Sequence, residues 1–84
     1  MGEHYTVWVK ADCPFCVSAK DELYNRRASH TINIMDERLE ELNELKELWN
    51  HSTVPIIVYR DGTVEVLVGG CSDLKEWFDG RKND

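Results

Sequence analysis

The stretch Lys10-Ala11-Asp12-Cys13-Pro14-Phe15-Cys16 lies where a strand-forming run gives way to a helix-forming one, and any fold of this chain has to be built around that junction. Upstream, Tyr5-Thr6-Val7-Trp8-Val9 is β-branched and aromatic, the composition of a strand. Downstream, Val17 to Arg27 holds neither glycine nor proline and reads as a helix. Pro14 suits the first turn of that helix, because its missing N–H loses no partner there and its fixed φ is already helical. Cys13 is thereby expected at the positive end of the helix, beneath backbone N–H groups that lack an intrahelical acceptor. Such a position favours thiolate over thiol, which makes Cys13 the expected nucleophile. Cys16, one turn further on, is close enough to attack a disulfide formed on Cys13. Asp12 opposes this tuning by its charge, and its carboxylate is expected to point into solvent.

The rest of the chain supplies a sheet for that junction. Thr31 to Met35 reads as a second strand, and with a helix between them the first two strands are expected to be parallel, joined by a right-handed crossover. Asp36 is the expected N-cap of a second helix, with Glu37 adding charge favourable to the first turn. Leu39, Leu42, Leu45, Leu48 and Trp49 give that helix an apolar stripe. A short coiled coil is the rival reading, but fewer than two heptads are present. Val54-Pro55 introduces Ile56 to Tyr59 as a buried third strand. Asp61-Gly62 predicts a hairpin that returns antiparallel as Val64 to Val68. Gly69-Gly70 turn the chain out of the sheet, and Cys71 to Arg81 forms a last helix with Leu74, Trp77 and Phe78 inward. The order is β-α-β-α-β-β-α.

Eighty-four residues, 42% of them hydrophobic, suffice for one domain over residues 1–84 with a core that needs no disulfide staples. Three cysteines, an odd number, argue against a secreted disulfide framework, and no apolar run approaches membrane-spanning length. The expectation is a cytoplasmic protein of a reducing compartment that engages no membrane. A net charge of −6 disfavours nucleic acid as a partner. His4, His30 and His51 show no ligand spacing, and no metal is expected. Trp8, Trp49 and Trp77 read as core or half-buried residues.

With that order of elements the chain resembles the glutaredoxins, small members of the thioredoxin fold family. The resemblance rests on three separated motifs that together span nearly the whole chain. They are Cys13-Pro14-Phe15-Cys16 with Lys10 three residues upstream, Thr53-Val54-Pro55, and Gly69-Gly70-Cys71-Ser72-Asp73-Leu74. It implies an α/β thioredoxin fold, a four-stranded mixed sheet flanked by three helices, with a cis peptide bond before Pro55. It also implies a monomeric thiol–disulfide oxidoreductase with glutathione as co-substrate, acting on protein disulfides and glutathionylated proteins. The compact length resembles bacterial and phage-encoded glutaredoxins, for which ribonucleotide reductase is the expected protein target.

Read through the same resemblance, Lys10 holds a glutathione carboxylate, and Thr53 and Val54 align the cysteinyl backbone beside Pro55. Gly70, Ser72 and Asp73 receive the γ-glutamyl end, and Phe15 stands at the rim. Many glutaredoxins carry a basic residue just before Thr-Val-Pro. Asn50-His51-Ser52 occupy that stretch here, so the carboxylate clamp falls to Lys10 alone or to Lys10 with His51. Cys71 is either a third reactive thiol or, more simply, a small buried residue at a helix start. Two readings from other classes stand beside this one. One is an iron–sulfur module in which glutathione or a second chain completes the ligand set, against which Pro14 argues. The other is a thioredoxin-like reductant fed by thioredoxin reductase, against which the Gly-Gly-Cys-Ser-Asp-Leu motif argues.

Overall fold

The computed structural model describes residues 2–82. It contains β1 (Glu3–Val9), α1 (Pro14–Asn25), β2 (His30–Ile34), α2 (Leu39–Leu48), β3 (Ile56–Asp61), β4 (Val64–Gly69) and α3 (Cys71–Lys82). The sheet runs in the order β2-β1-β3-β4. β1 and β2 are parallel, in the register Tyr5↔His30 to Val9↔Ile34, while β3 is antiparallel to both β1 and β4. This is the four-stranded mixed sheet with three helices that the resemblance implies.

Strand alternation sorts the core into two layers. Tyr5, Val7 and Val9 of β1, with Ile57 and Tyr59 of β3, pack against Cys16, Ala19 and Leu23 of α1 and Cys71 and Leu74 of α3. The intervening Ile56 and Val58 pack on the other side with Met35 and Leu42, flanked by Trp8, Leu45 and Trp49. Within the first layer, Tyr5, Tyr59, Trp77 and Phe78 form tilted ring pairs with centroids 5.1–5.5 Å apart, and the Trp77 indole N–H donates to the Tyr5 hydroxyl at 2.9 Å.

Two expectations for α2 need correction. Asp36 does not cap it: the N-cap is Arg38, with no side-chain hydrogen bond, so the helix starts two residues later than the sequence suggested. The reason is the parallel register. β1 and β2 pair with an offset of 25 residues, which places Asp36 beside Ala11, and its Oδ1 accepts the Ala11 N–H at 2.8 Å. The leucine stripe is also narrower than expected. Leu42 is buried and Leu45 and Trp49 are half-buried, but Leu39 is 50% and Leu48 73% exposed. A spacing of three residues falls about 60° short of a full turn at each step, so Leu39 and Leu48 sit on opposite flanks of the face that buries Leu42.

Both α1 and α2 end alike. The N–H groups of Arg27 and Ala28 return to the carbonyls of Tyr24 and Leu23, and those of Asn50 and His51 return to Glu47 and Lys46. Arg27 and Asn50 adopt the left-handed conformation this closure requires, with φ of 56° and 51°. The second closure aims His51 back towards the carboxyl end of β1, where the cysteines lie.

Candidate active site

Cys13 is the N-cap of α1. Its backbone is extended (φ −144°, ψ 104°), and its sulfur accepts the Cys16 N–H at 3.2 Å. Its carbonyl oxygen accepts from Cys16 and Val17 at 3.1 and 3.2 Å. Pro14 follows as the first helical residue, as its fixed φ favours. The helix therefore uses the Cys13 sulfur as its own capping acceptor, a part usually played by a Ser, Thr, Asp or Asn oxygen. Any negative charge on that sulfur is met by a backbone donor already aimed at it.

The two thiols live in different surroundings. Cys13 is partly exposed, whereas Cys16 is 1% exposed and belongs to the core. Burial, first, and the hydrogen bond with Cys13, second, push the Cys16 thiol up to about 12, against weaker opposing effects from the Lys10 backbone and the Lys20 charge. At neutral pH burial keeps Cys16 a protonated thiol. The Val54 carbonyl oxygen faces the Cys13 sulfur at 4.0 Å, and the Val54–Pro55 peptide is cis. Asp12 is exposed, as expected.

A cavity of about 430 Å³ opens beside this pair. Its walls bring together Phe15, Thr53, Val54, Pro55, Gly70, Cys71, Ser72 and Asp73, residues drawn from three separate stretches of sequence. Phe15 is 68% exposed at the rim, and Cys71 is buried. Lys10 does not line the cavity. Its backbone borders Cys16 instead. The glycine–aspartate corner is tightly built. Asp73 Oδ2 accepts the Gly70 N–H at 2.8 Å, the reach-back of a residue in the first turn of α3 to the residue ahead of the helix. Gly69 sits at φ +119°, where a Cβ would collide with the Asp73 carboxylate, so both backbone conformation and space demand glycine.

Sequence reading missed Ser18 and Lys75, which also line the cavity, and left His51 as one of two alternatives for the clamp. Helical spacing was the available signal. Ser18 lies three residues after Phe15, and Lys75 lies four after Cys71. The His51 ring faces Thr53 Oγ1 at 3.4 Å and lies close to Gly70. Among the described residues no group of three or more His, Cys, Asp or Glu side chains is placed to hold a metal ion, and no helix is long and apolar enough to cross a membrane.

Known proteins of similar sequence and shape converge on one group. The protein-family model described as Glutaredoxin matches residues 5–64. The solution structure of the dithiolic glutaredoxin 2-C-Grx1 of Trypanosoma brucei brucei is 31% identical, with a TM-score of 0.73 over 93% of this chain and 79% of that one. Wheat glutaredoxin is 28% identical, with a TM-score of 0.79 over 93% of this chain and 71% of its own. A glutaredoxin of Brucella melitensis is 27% identical, with a TM-score of 0.70 over 96% and 84%. The sequence has no significant match among curated proteins.

Proposed function

The chain belongs to the glutaredoxin family, and from that premise we propose that it is a glutathione-dependent thiol–disulfide oxidoreductase in which Cys13 attacks and Cys16 resolves. The observation that carries this reading is the asymmetry of the pair. One sulfur is partly exposed, capped by a backbone donor and set against the carbonyl of Val54 in the cavity wall, and the other is buried and held protonated.

The Cys13 thiolate attacks the glutathionyl sulfur of a mixed disulfide, the protein thiolate leaves and takes up a proton, and Cys13 becomes disulfide-bonded to glutathione. Two routes close the cycle. A second glutathione thiolate attacks the glutathionyl sulfur of the adduct, releasing oxidised glutathione and the Cys13 thiolate. Alternatively, Cys16 loses its proton and attacks the Cys13 sulfur, expelling glutathione and leaving a Cys13–Cys16 disulfide that two further glutathiones reduce. The Cys16 N–H that caps the Cys13 sulfur favours its departure as thiolate, when that sulfur is the leaving group.

Thr53 and Val54 would align the extended cysteinyl part of glutathione against the cavity, with Pro55 behind it. Gly70, Ser72 and Asp73 at the start of α3 would take the γ-glutamyl end, with Asp73 as acceptor for its ammonium group. His51 and Lys75 face the same cavity and would supply the carboxylate clamp together with Lys10 from outside it. Phe15 and Cys71 contribute apolar wall. Within this reading the chain works as a single cytoplasmic domain over residues 1–84, as a monomer, with disulfide-containing proteins such as ribonucleotide reductase as targets.

A coupled assay tests it. NADPH consumption on a small mixed disulfide is followed with glutathione plus glutathione reductase, or with thioredoxin reductase. Turnover is expected only with glutathione, absent in Cys13→Ser and retained in Cys16→Ser. Turnover with thioredoxin reductase alone would replace the glutathione-dependent reading.

A further inference from the structure

Asp36 caps no helix. Its carboxylate instead holds the loop that delivers the reactive sulfur. β1 ends at Val9, and the last backbone link between β1 and the chain after β2 is the Met35 N–H to the Val9 carbonyl at 2.8 Å. Beyond that point the backbone of residues 10–12 has left the sheet and not yet entered α1. The Asp36 side chain extends the pairing one step further by accepting the Ala11 N–H at 2.8 Å. The Cys16 thiol engages the Lys10 backbone at the start of this loop, and Asp36 holds it at Ala11. Ala11 lies two residues before Cys13, so the direction in which the chain enters α1 is set here.

We propose that Asp36 is a positioning residue for Cys13: its carboxylate oxygen fixes the β1–α1 loop so that Cys13 enters the helix in the extended conformation that brings its sulfur under the Cys16 N–H. The inference rests on Cys13 being the nucleophile, but not on glutathione. Geometry and charge make opposite demands at this position. A carboxylate near Cys13 disfavours thiolate by its charge, so removing that charge alone raises the share of thiolate open to alkylation. Removing the acceptor loosens the loop, weakens the backbone cap on the sulfur and lowers that share. Asparagine separates the two, because its carbonyl oxygen accepts the same N–H without carrying charge.

The test is the rate of Cys13 alkylation by iodoacetamide across a pH series, with the modified residue located by peptide mass mapping, in wild type, Asp36→Ala and Asp36→Asn. Asp36 is exposed in a turn, so neither substitution opens a cavity. Asp36→Ala is expected to slow alkylation at neutral pH by about two- to tenfold, the scale of one net hydrogen bond, and to displace the pH–rate profile to higher pH. Asp36→Asn is expected to stay within about twofold of wild type. Faster alkylation in both variants would overturn the proposal in favour of a charge effect. An unmoved profile in Asp36→Ala, whether or not the melting temperature falls, would reduce Asp36 to a structural contact. No glutathione enters the measurement, so its outcome is independent of the coupled assay.

Discussion

The face of the sheet covered by α1 and α3 buries ten residues in one cluster among the described residues, whereas the α2 face buries four. The cysteine pair sits on the deeper side. Cys16 is itself a core residue there, packed with Ala19, Leu23 and Leu74, and α1 and α3 both begin at the cavity. The α2 face contributes differently. Its helix supports the site from its two ends, with Asp36 ahead of it tethering the Cys13 loop and His51 behind it bordering the cavity. One layer therefore fixes the thiol pair by packing, while the other fixes its surroundings by hydrogen bonds from short connections.

That contrast can be broken or sharpened by experiment. The largest effect is expected from truncating the deep layer. Leu23→Ala and Leu74→Ala, both fully buried, should each cost about 2–5 kcal/mol in denaturant unfolding, with Leu42→Ala on the thinner face near the lower end of that range. Equal losses at all three would remove the asymmetry. Next comes the alkaline limb of stability. Below the ordinary thiol value of 9.0, folded and unfolded chains both keep the Cys16 proton, so this residue adds no pH dependence. Between 9.0 and about 12 the unfolded chain ionises while burial keeps the folded thiol protonated, so stability falls as pH rises through that window. Cys16→Ala should lose less stability than wild type over the same rise, and an identical fall in both would contradict the burial argument. The smallest effect is expected on the exposed flank of α2. Leu48→Ala should shift unfolding by no more than about 0.5 kcal/mol, and a loss comparable to Leu42→Ala would mean the exposed leucine is covered in solution.

Much of this layout was legible in the sequence because local chemistry and tertiary structure agree there. The Cys13-Pro14 junction reads the same as a cap and as a reactive site, Asp61-Gly62 marks a hairpin the sheet then uses, and the three motifs meet on one cavity. Most of what escaped was decided by pairing between distant segments. Asp36 has every local attribute of an N-cap, yet the β1–β2 register gives it a better partner 25 residues away. Leu39 and Leu48 recur every third residue with Leu42 and Leu45, but three residues fall short of a turn, so nine place them on opposite sides of α2 and neither shares the buried face of Leu42. Ser18 and Lys75 line the cavity only because α1 and α3 both start there, which no single stretch of sequence reveals.

The division of labour between the two thiols is tested most directly by trapping the first covalent adduct. Cys16→Ser incubated with oxidised glutathione and examined by intact mass and peptide mapping should gain one glutathionyl group, on Cys13, stable until a thiol is added. An adduct on Cys71, or none at all, would contradict the assignment of Cys13 as the attacking sulfur.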